Sequence, residues 1–465
     1  MIFKKKRFRN KGVLIAGCLL SIKSTFNIYA MKTQTFQLLK KSFQLSTIIL
    51  ICMGFSNAAL ASPVSPKSNQ PDTLTYVQYK GSVTDQESRV ALPFASLALN
   101  GTNIATISNS EGEFSLKIPK NVTEGKVTVS FIGYKSKNVN LSEFKSERTK
   151  IELEMLVVAL NEISVFPKDP ELLIRAVMNK RAENYFSDQT LMSAFYRETI
   201  KKRKTYVSLS EAVVEIHKQP YMSSRVDAAQ LFKARKSTDY TKLDTVTFKL
   251  MGGPYTTLYL DIMKNPELIF TEDMIGNYEF ALDNITKIND RMIYVLGFKQ
   301  REHITEPLYF GKLYIDTESL AITSATFNLN VENKALASDM FIKRKPAGAR
   351  VYPTLAAYHI DYREKDGKWH YSYSRGQITF KIDWRKRLFN TVYESTIEMA
   401  VTDWEKTNDK PLKLAERMKT NVVMTDEISG FADREFWGEY NVIEPEKPIE
   451  TAIKKIQKKL EKNKM

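Results

Sequence analysis

Apolar and polar side chains alternate with period two along much of this 465-residue chain. Between Tyr76 and Glu154 the alternation comes in short runs cut by turn residues. Tyr76–Asp85, Ser96–Asn100, Ile104–Ile107, Glu113–Ile118, Lys126–Phe131, Ser136–Leu141 and Thr149–Glu154 predict seven strands. Within the fourth, Phe114, Leu116 and Ile118 share one face. Asn100-Gly101 and Asn109-Ser110-Glu111-Gly112 supply turn chemistry between runs. Seven short strands at this spacing predict an antiparallel β-sandwich over residues 76–165.

The period then changes. Asp169 is placed to cap a helix and Pro170 to occupy its first position, with Leu173, Ala176, Val177 and Lys180 at helical spacing up to Tyr185. From Ala194 the chain returns to strands, with hairpins over 194–216, 278–299 and 313–331. Leu250–Tyr255 breaks the pattern, and Leu258–Met263 fits either a strand or a short helix. Gln377–Trp384 and Phe389–Trp404 complete the series. The fold class is mainly β (α+β): a seven-stranded sandwich, then a large antiparallel, half-barrel-like sheet over 169–404 with a few helices. Residues 405–465 form a C-terminal extension. It ends in an amphipathic helix, with Ile449, Ala452, Ile453, Ile456 and Leu460 on one stripe and lysines over much of the rest.

Asp366-Gly367 is a strong type I′ hairpin signal between 355–364 and 368–375. With a two-residue loop, Tyr362 faces Tyr371 and Ile360 faces Tyr373. Tyr358, Ile360, Tyr362, Tyr371 and Tyr373 then form one aromatic-aliphatic wall. Such a wall is sheet core by default; its other reading is the lining of an apolar ligand cavity.

The sandwich stretch resembles the carboxypeptidase regulatory-like domain found in Bacteroidetes envelope proteins. The resemblance is carried by Gly81-x-Val83-x-Asp85, Leu92-Pro93-Phe94-Ala95, Asn100-Gly101-Thr102, Ser110–Phe114, Phe131–Tyr134 and the exit Leu160–Val165. It implies a transthyretin-like sandwich that accompanies metallocarboxypeptidases as an accessory and carries no catalytic residues. Phe310–Ile322 resembles a strand-turn-strand of lipoprotein-carrier proteins, which implies a curved antiparallel half-barrel with an apolar concave face.

Charge and export are linked. The net charge is +16, from 69 Lys/Arg and 53 Asp/Glu. Residues 1–61 hold ten of the basic groups and no acidic one, so the remainder carries only +6. That balance does not point to nucleic acid. Met31-Lys32, Lys40-Lys41, the apolar Leu45–Phe55 and Ala59-Leu60-Ala61 predict a cleaved leader in 1–61 with Met31 as the true start. Gly12–Cys18 resembles a lipoprotein box with a short apolar core. Residues 62–75 read as a linker. Cys18 and Cys52 both fall in the leader, leaving an exported chain without disulfides.

Chemistry is sparse. His303-Ile304-Thr305-Glu306 matches the first half of a carboxypeptidase zinc site, but a third ligand at family spacing is missing, because no His follows His370. His217 and His359 complete the histidines. Asp85, Asn109 and Glu111 sit in turns that would also suit a weak calcium ion. No nucleophile elbow or phosphate loop is present. The expectation is an exported, periplasmic or outer-membrane-associated envelope protein without cofactor. It is a non-catalytic binding or structural module for a protein, glycan or lipid partner. The alternative is a zinc- or carboxylate-dependent hydrolase. The C-terminal helix reads first as a docked amphipathic helix with a solvated lysine face, and second as a weak membrane-surface contact.

Overall fold

The computed structural model describes residues 12–16, 75–156, 169–238, 247–288, 291–385, 389–408, 412–428, 436–446 and 449–451. The leader cleavage site, the linker up to residue 74, the 160–165 exit, the Asn289-Asp290 turn and the lysine stripe beyond Thr451 lie outside them.

The sandwich has seven strands: β2 (Tyr76–Asp85), β3 (Ser96–Leu99), β4 (Ala105–Ile107), β5 (Glu113–Pro119), β6 (Lys126–Ser130), β7 (Lys137–Asn140) and β8 (Thr149–Leu153). They form two sheets, ordered β5-β2-β8 and β4-β3-β6-β7, around Val83, Leu97, Phe114, Leu116, Val127, Val129 and Ile151. One pairing departs from the antiparallel expectation. β2 and β8 run parallel, from Gly81↔Thr149 to Asp85↔Leu153. Gly81 makes this close approach feasible, since a Cβ there would lie 2.0 Å from the Thr149 carbonyl oxygen and 2.7 Å from the Phe114 ring.

The second unit opens with α1 (Pro170–Asn179), whose cap Asp169 accepts from the Glu171 and Leu172 amides. α2 (Arg181–Asn184) follows. The strands are β9 (Thr190–Lys202), β10 (Thr205–Lys218), β11 (Ala228–Thr238), β13 (Tyr278–Ile288), β14 (Arg291–Gln300), β15 (Tyr309–Asp316), β16 (Ile322–Leu329), β18 (Ala349–Lys365), β19 (Lys368–Trp384) and β20 (Thr391–Lys406). They make a ten-stranded antiparallel sheet ordered β11-β10-β9-β20-β19-β18-β16-β15-β14-β13. Gln377–Trp384 is thus not a separate strand but the distal half of β19. The chain runs outward from β9 to one edge, crosses to the opposite edge at β13, and returns to pair β20 with β9.

That crossover explains the core. It contains α3 (Pro254–Tyr259) and α4 (Glu272–Ile275), so the 258–263 segment is helix and turn rather than strand. Leu258, Leu260, Ile262, Met263, Leu268, Ile269 and Phe270 are buried from it against the sheet, beside Ile174 and Val177 of α1. α5 (Lys334–Phe341) packs Phe341 against Phe380.

The opposite sheet face carries the sandwich. Ile107 and Phe94 meet Phe195, Val213, Tyr373 and Ala400 there, with Trp437, Val442 and Ile443 of the C-terminal segment wedged between. Asn441 clamps the sandwich edge by exchanging two hydrogen bonds with the Lys117 backbone. The wide sheet is therefore covered on both faces, as an apolar-faced sheet requires.

Gly12–Ala16 forms β1, paired in parallel with β12 (Thr247–Met251) and antiparallel with β17 (Ile342–Arg344). It lies within the segment read as a leader.

The Asp366-Gly367 turn has φ of 53° and 75°, as a type I′ turn requires. Tyr362 faces Tyr371. Ile360, however, faces Ser374 rather than Tyr373, because Ser372 is an extra residue on β19 and Asp361 pairs with Tyr373. This β-bulge flips the alternation of the rest of the strand.

Candidate functional site

A cavity of about 330 Å³ opens between the β10–β11 loop and the crossover. Val226 and Asp227 of the loop form one wall; Tyr255, Leu258 and Tyr259 of α3 form the other. Ser223, Thr256 and Asn265 add polar groups, and Arg225 and Glu267 also line it. The mix of apolar wall and few polar groups is that of a small-molecule site.

A buried ion cluster fixes both walls. Lys218, at the end of β10, donates to Asp227 Oδ2 at 2.7 Å and lies 2.7 Å from Asp261 Oδ2. Asp227 Oδ1 accepts the Gln219 amide at 2.8 Å, and Asp261 Oδ1 accepts the Tyr362 hydroxyl at 2.8 Å. Burial alone would depress the Lys218 ammonium, yet Asp227 and Asp261 together hold it above the ordinary lysine value. One cation therefore joins the loop, through Asp227, to the crossover, through Asp261. Lys264 adds a second tie by donating to the Pro220 and Ser223 carbonyls, both at 2.6 Å. Tyr255 accepts the Ala229 amide and donates to the Met418 carbonyl, each at 3.0 Å.

The charges on the sandwich-facing side of the sheet form a ladder. Arg235, Glu211, Arg197, Glu398 and Arg375 stand side by side on five successive strands, alternating in sign. Arg197 reaches Glu211 at 2.8 Å, Glu398 at 3.3 Å and the Ile443 carbonyl at 2.7 Å. The guanidiniums on either side hold the Glu211 carboxyl below its usual range despite complete burial. Each carboxylate here is shared by two cations, an arrangement that fixes register and docks the C-terminal segment.

The structure separates the sequence-predicted wall. Tyr358, Ile360, Tyr362 and Tyr371 lie in the core against the crossover. Tyr371 and Ser374 both reach the Thr257 carbonyl, at 3.5 and 3.1 Å. Tyr373 points to the other face, where it meets Phe94 and donates to Glu398 at 3.2 Å. None of the five lines the larger cavity.

The histidines stay apart. His303 is exposed in a turn. His217 lies 3.2 Å from Glu215, and His359 lies 2.7 Å from Asp361. His370 is enclosed by Phe186 and Trp404, and burial pushes its imidazole down to about 3. Among the described residues no three metal-ligating side chains converge. Asp85 Oδ1 accepts from the Glu87 and Ser88 amides and the Ser88 hydroxyl, and Asn109 Oδ1 from the Glu111 and Glu113 amides, as turn-closing acceptors do. The Lys218 cluster and the cavity were missed from sequence. Their members are scattered from residue 218 to 420, and the crossover brings them together.

The architecture defines a class: a small sandwich seated on a wide two-faced antiparallel sheet. Residues 79–165 match the CarboxypepD_reg-like domain, so the sandwich is a domain of that kind. No curated protein sequence matches the chain. Solved structures that align include a domain described as an outer membrane lipoprotein-sorting protein from Vibrio parahaemolyticus, at 9% identity and TM-score 0.23, covering 52% of this chain and 94% of that one. A DUF1329 family protein from Desulfovibrio piger aligns at 9% identity and TM-score 0.23, covering 52% and 96%. Lipovitellin aligns at 8% identity and TM-score 0.24, covering 49% and 26%. Among the described residues no helix is long and apolar enough to cross a membrane.

Proposed function

We propose that this chain is a non-catalytic binding protein of the bacterial cell envelope that holds a small, largely apolar molecule in the cavity beside α3. The observation that carries the reading is the preformed cavity, its two walls tied through one buried lysine. A site rigid before its ligand arrives spends less free energy on ordering when it binds. The leader pattern supports export, and the accessory sandwich supports an envelope setting.

The test uses the exported full chain with cis-parinaric acid, a fluorescent fatty acid, as probe. Val226 is exposed at the cavity rim, so Val226→Trp fills the mouth without entering the core. Saturable probe binding that Val226→Trp abolishes, with thermal unfolding unchanged, is expected. Equal probe binding by the variant, or none by the wild type, overturns the reading.

A further inference from the structure

A second cavity, of about 160 Å³, lies where the sandwich meets the sheet. Phe94, Ser96 and Ser130 line it from the sandwich; Asp361, Arg363 and Trp369 line it from the sheet. Its charged side chains are bonded to one another except at one place. Arg291 lies 3.5 Å from Asp316 and 3.4 Å from Glu364. Asp361 is held by His359 at 2.7 Å, and Glu364 also accepts the Gly367 amide. Arg363 is partly buried, yet among the described residues its guanidinium makes no hydrogen bond and joins no ion pair. Burial depresses it to about 10, and the nearby Asp361 charge offsets only part of that. His370, its cross-strand partner, is kept neutral by burial and by the Arg363 charge.

A guanidinium withdrawn from water is costly without a counter-charge, and it presents five donors in a fixed planar fork. Across the cavity Ser96 and Ser130 stand opposite each other in the β3–β6 register, and neither hydroxyl bonds another group among the described residues. Asp361 and Glu364 add negative charge to the same space; Glu364 is engaged by Arg291, and Asp361 makes its hydrogen bond with the His359 ring. A space of this size suits a small polar group rather than a long chain.

We infer that this interdomain cleft binds an oxyanion group, a phosphate or a carboxylate, between the Arg363 guanidinium and the hydroxyls of Ser96 and Ser130. The bound group bridges the two units, so its occupancy tightens the sandwich on the sheet. The proposal goes beyond the apolar cavity and shares no lining residue with it.

The experiment titrates the full chain with inorganic phosphate and, separately, with acetate. Calorimetry and thermal melting are read at ionic strength held constant with chloride. One of the two oxyanions should bind and raise the melting temperature; phosphate preference indicates a phosphorylated ligand and acetate preference a carboxylate. Arg363→Met and Arg363→Lys should each weaken binding about tenfold or more, the worth of a charge-assisted, fork-shaped contact. The lysine variant preserves the charge and guards against loss of folding. Ser96→Ala combined with Ser130→Ala should weaken binding in the same direction. No oxyanion effect beyond chloride in the wild type, or unaltered affinity in both Arg363 variants, overturns the proposal.

Discussion

The ring of Phe94 lies stacked on that of Tyr373, centroids 5.8 Å apart and planes 23° from parallel. The Arg375 guanidinium sits 5.1 Å from the Phe94 ring centroid. Phe94 reaches this position with φ of 64°, the left-handed region that bulky residues avoid. A strained loop residue is thus a principal anchor of the sandwich on the sheet. Phe94→Ala should lower stability by about 1–3 kcal/mol through lost stacking and burial. Phe94→Gly loses the same ring but accepts the positive φ freely, so it should unfold at higher denaturant than the alanine variant. Urea titration of the two variants separates strain from packing.

Glu198 is buried on the face opposite the charge ladder, accepting the Tyr196 hydroxyl at 3.0 Å. Burial raises its carboxyl to about 7 from the ordinary 4.5, with the Tyr196 hydrogen bond opposing. Below pH 4.5 the group is protonated folded and unfolded, and folding pays no penalty. Between 4.5 and 7 the folded chain holds a proton that the unfolded chain has released, so stability falls as pH rises; above 7 the loss levels off. The loss across that window is about 3 kcal/mol. Glu198→Gln should remove this part of the pH dependence and be more stable than wild type at pH 8. Denaturant midpoints at several pH values provide the check.

Lys218→Met should be strongly destabilising. It leaves the Asp227 and Asp261 carboxylates facing each other in the core without their shared cation, and breaking such a buried set costs about 3–5 kcal/mol. Replacing all three, with Asp227→Asn and Asp261→Asn added, should recover part of the loss because no naked charge remains. Chemical denaturation of the single and triple variants measures the difference. Binding of cis-parinaric acid should stay impaired in the triple variant, since the loop and the crossover lose their common tie.

The sequence shows locally what the fold does locally. The sandwich strands, the Asp169-Pro170 helix start and the Asp366-Gly367 turn each depend on neighbours a few residues apart, and each appears where the pattern places it. The β2–β8 parallel pair was not legible, because nothing near Thr149 encodes which edge of β2 it takes. The Ile360–Tyr373 pairing failed for a related reason. Alternation in the sequence continues smoothly through Ser372, and only the tertiary demand for Tyr373 on the far face inserts the bulge. The cavity could not be found from patterns, since its walls meet through a crossover of irregular chain and a single lysine at the end of a strand.

The extra residue at Ser372 gives the long hairpin something like a reading frame. Upstream of it, Tyr371 belongs to the crossover layer; Tyr373 is handed to the sandwich layer; and Ile378, Phe380 and Ile382 return to the first. A one-residue deletion there is therefore no local wound. It is a phase error transmitted toward Trp384, and the ribbon could then satisfy one of its two neighbours only by abandoning the other.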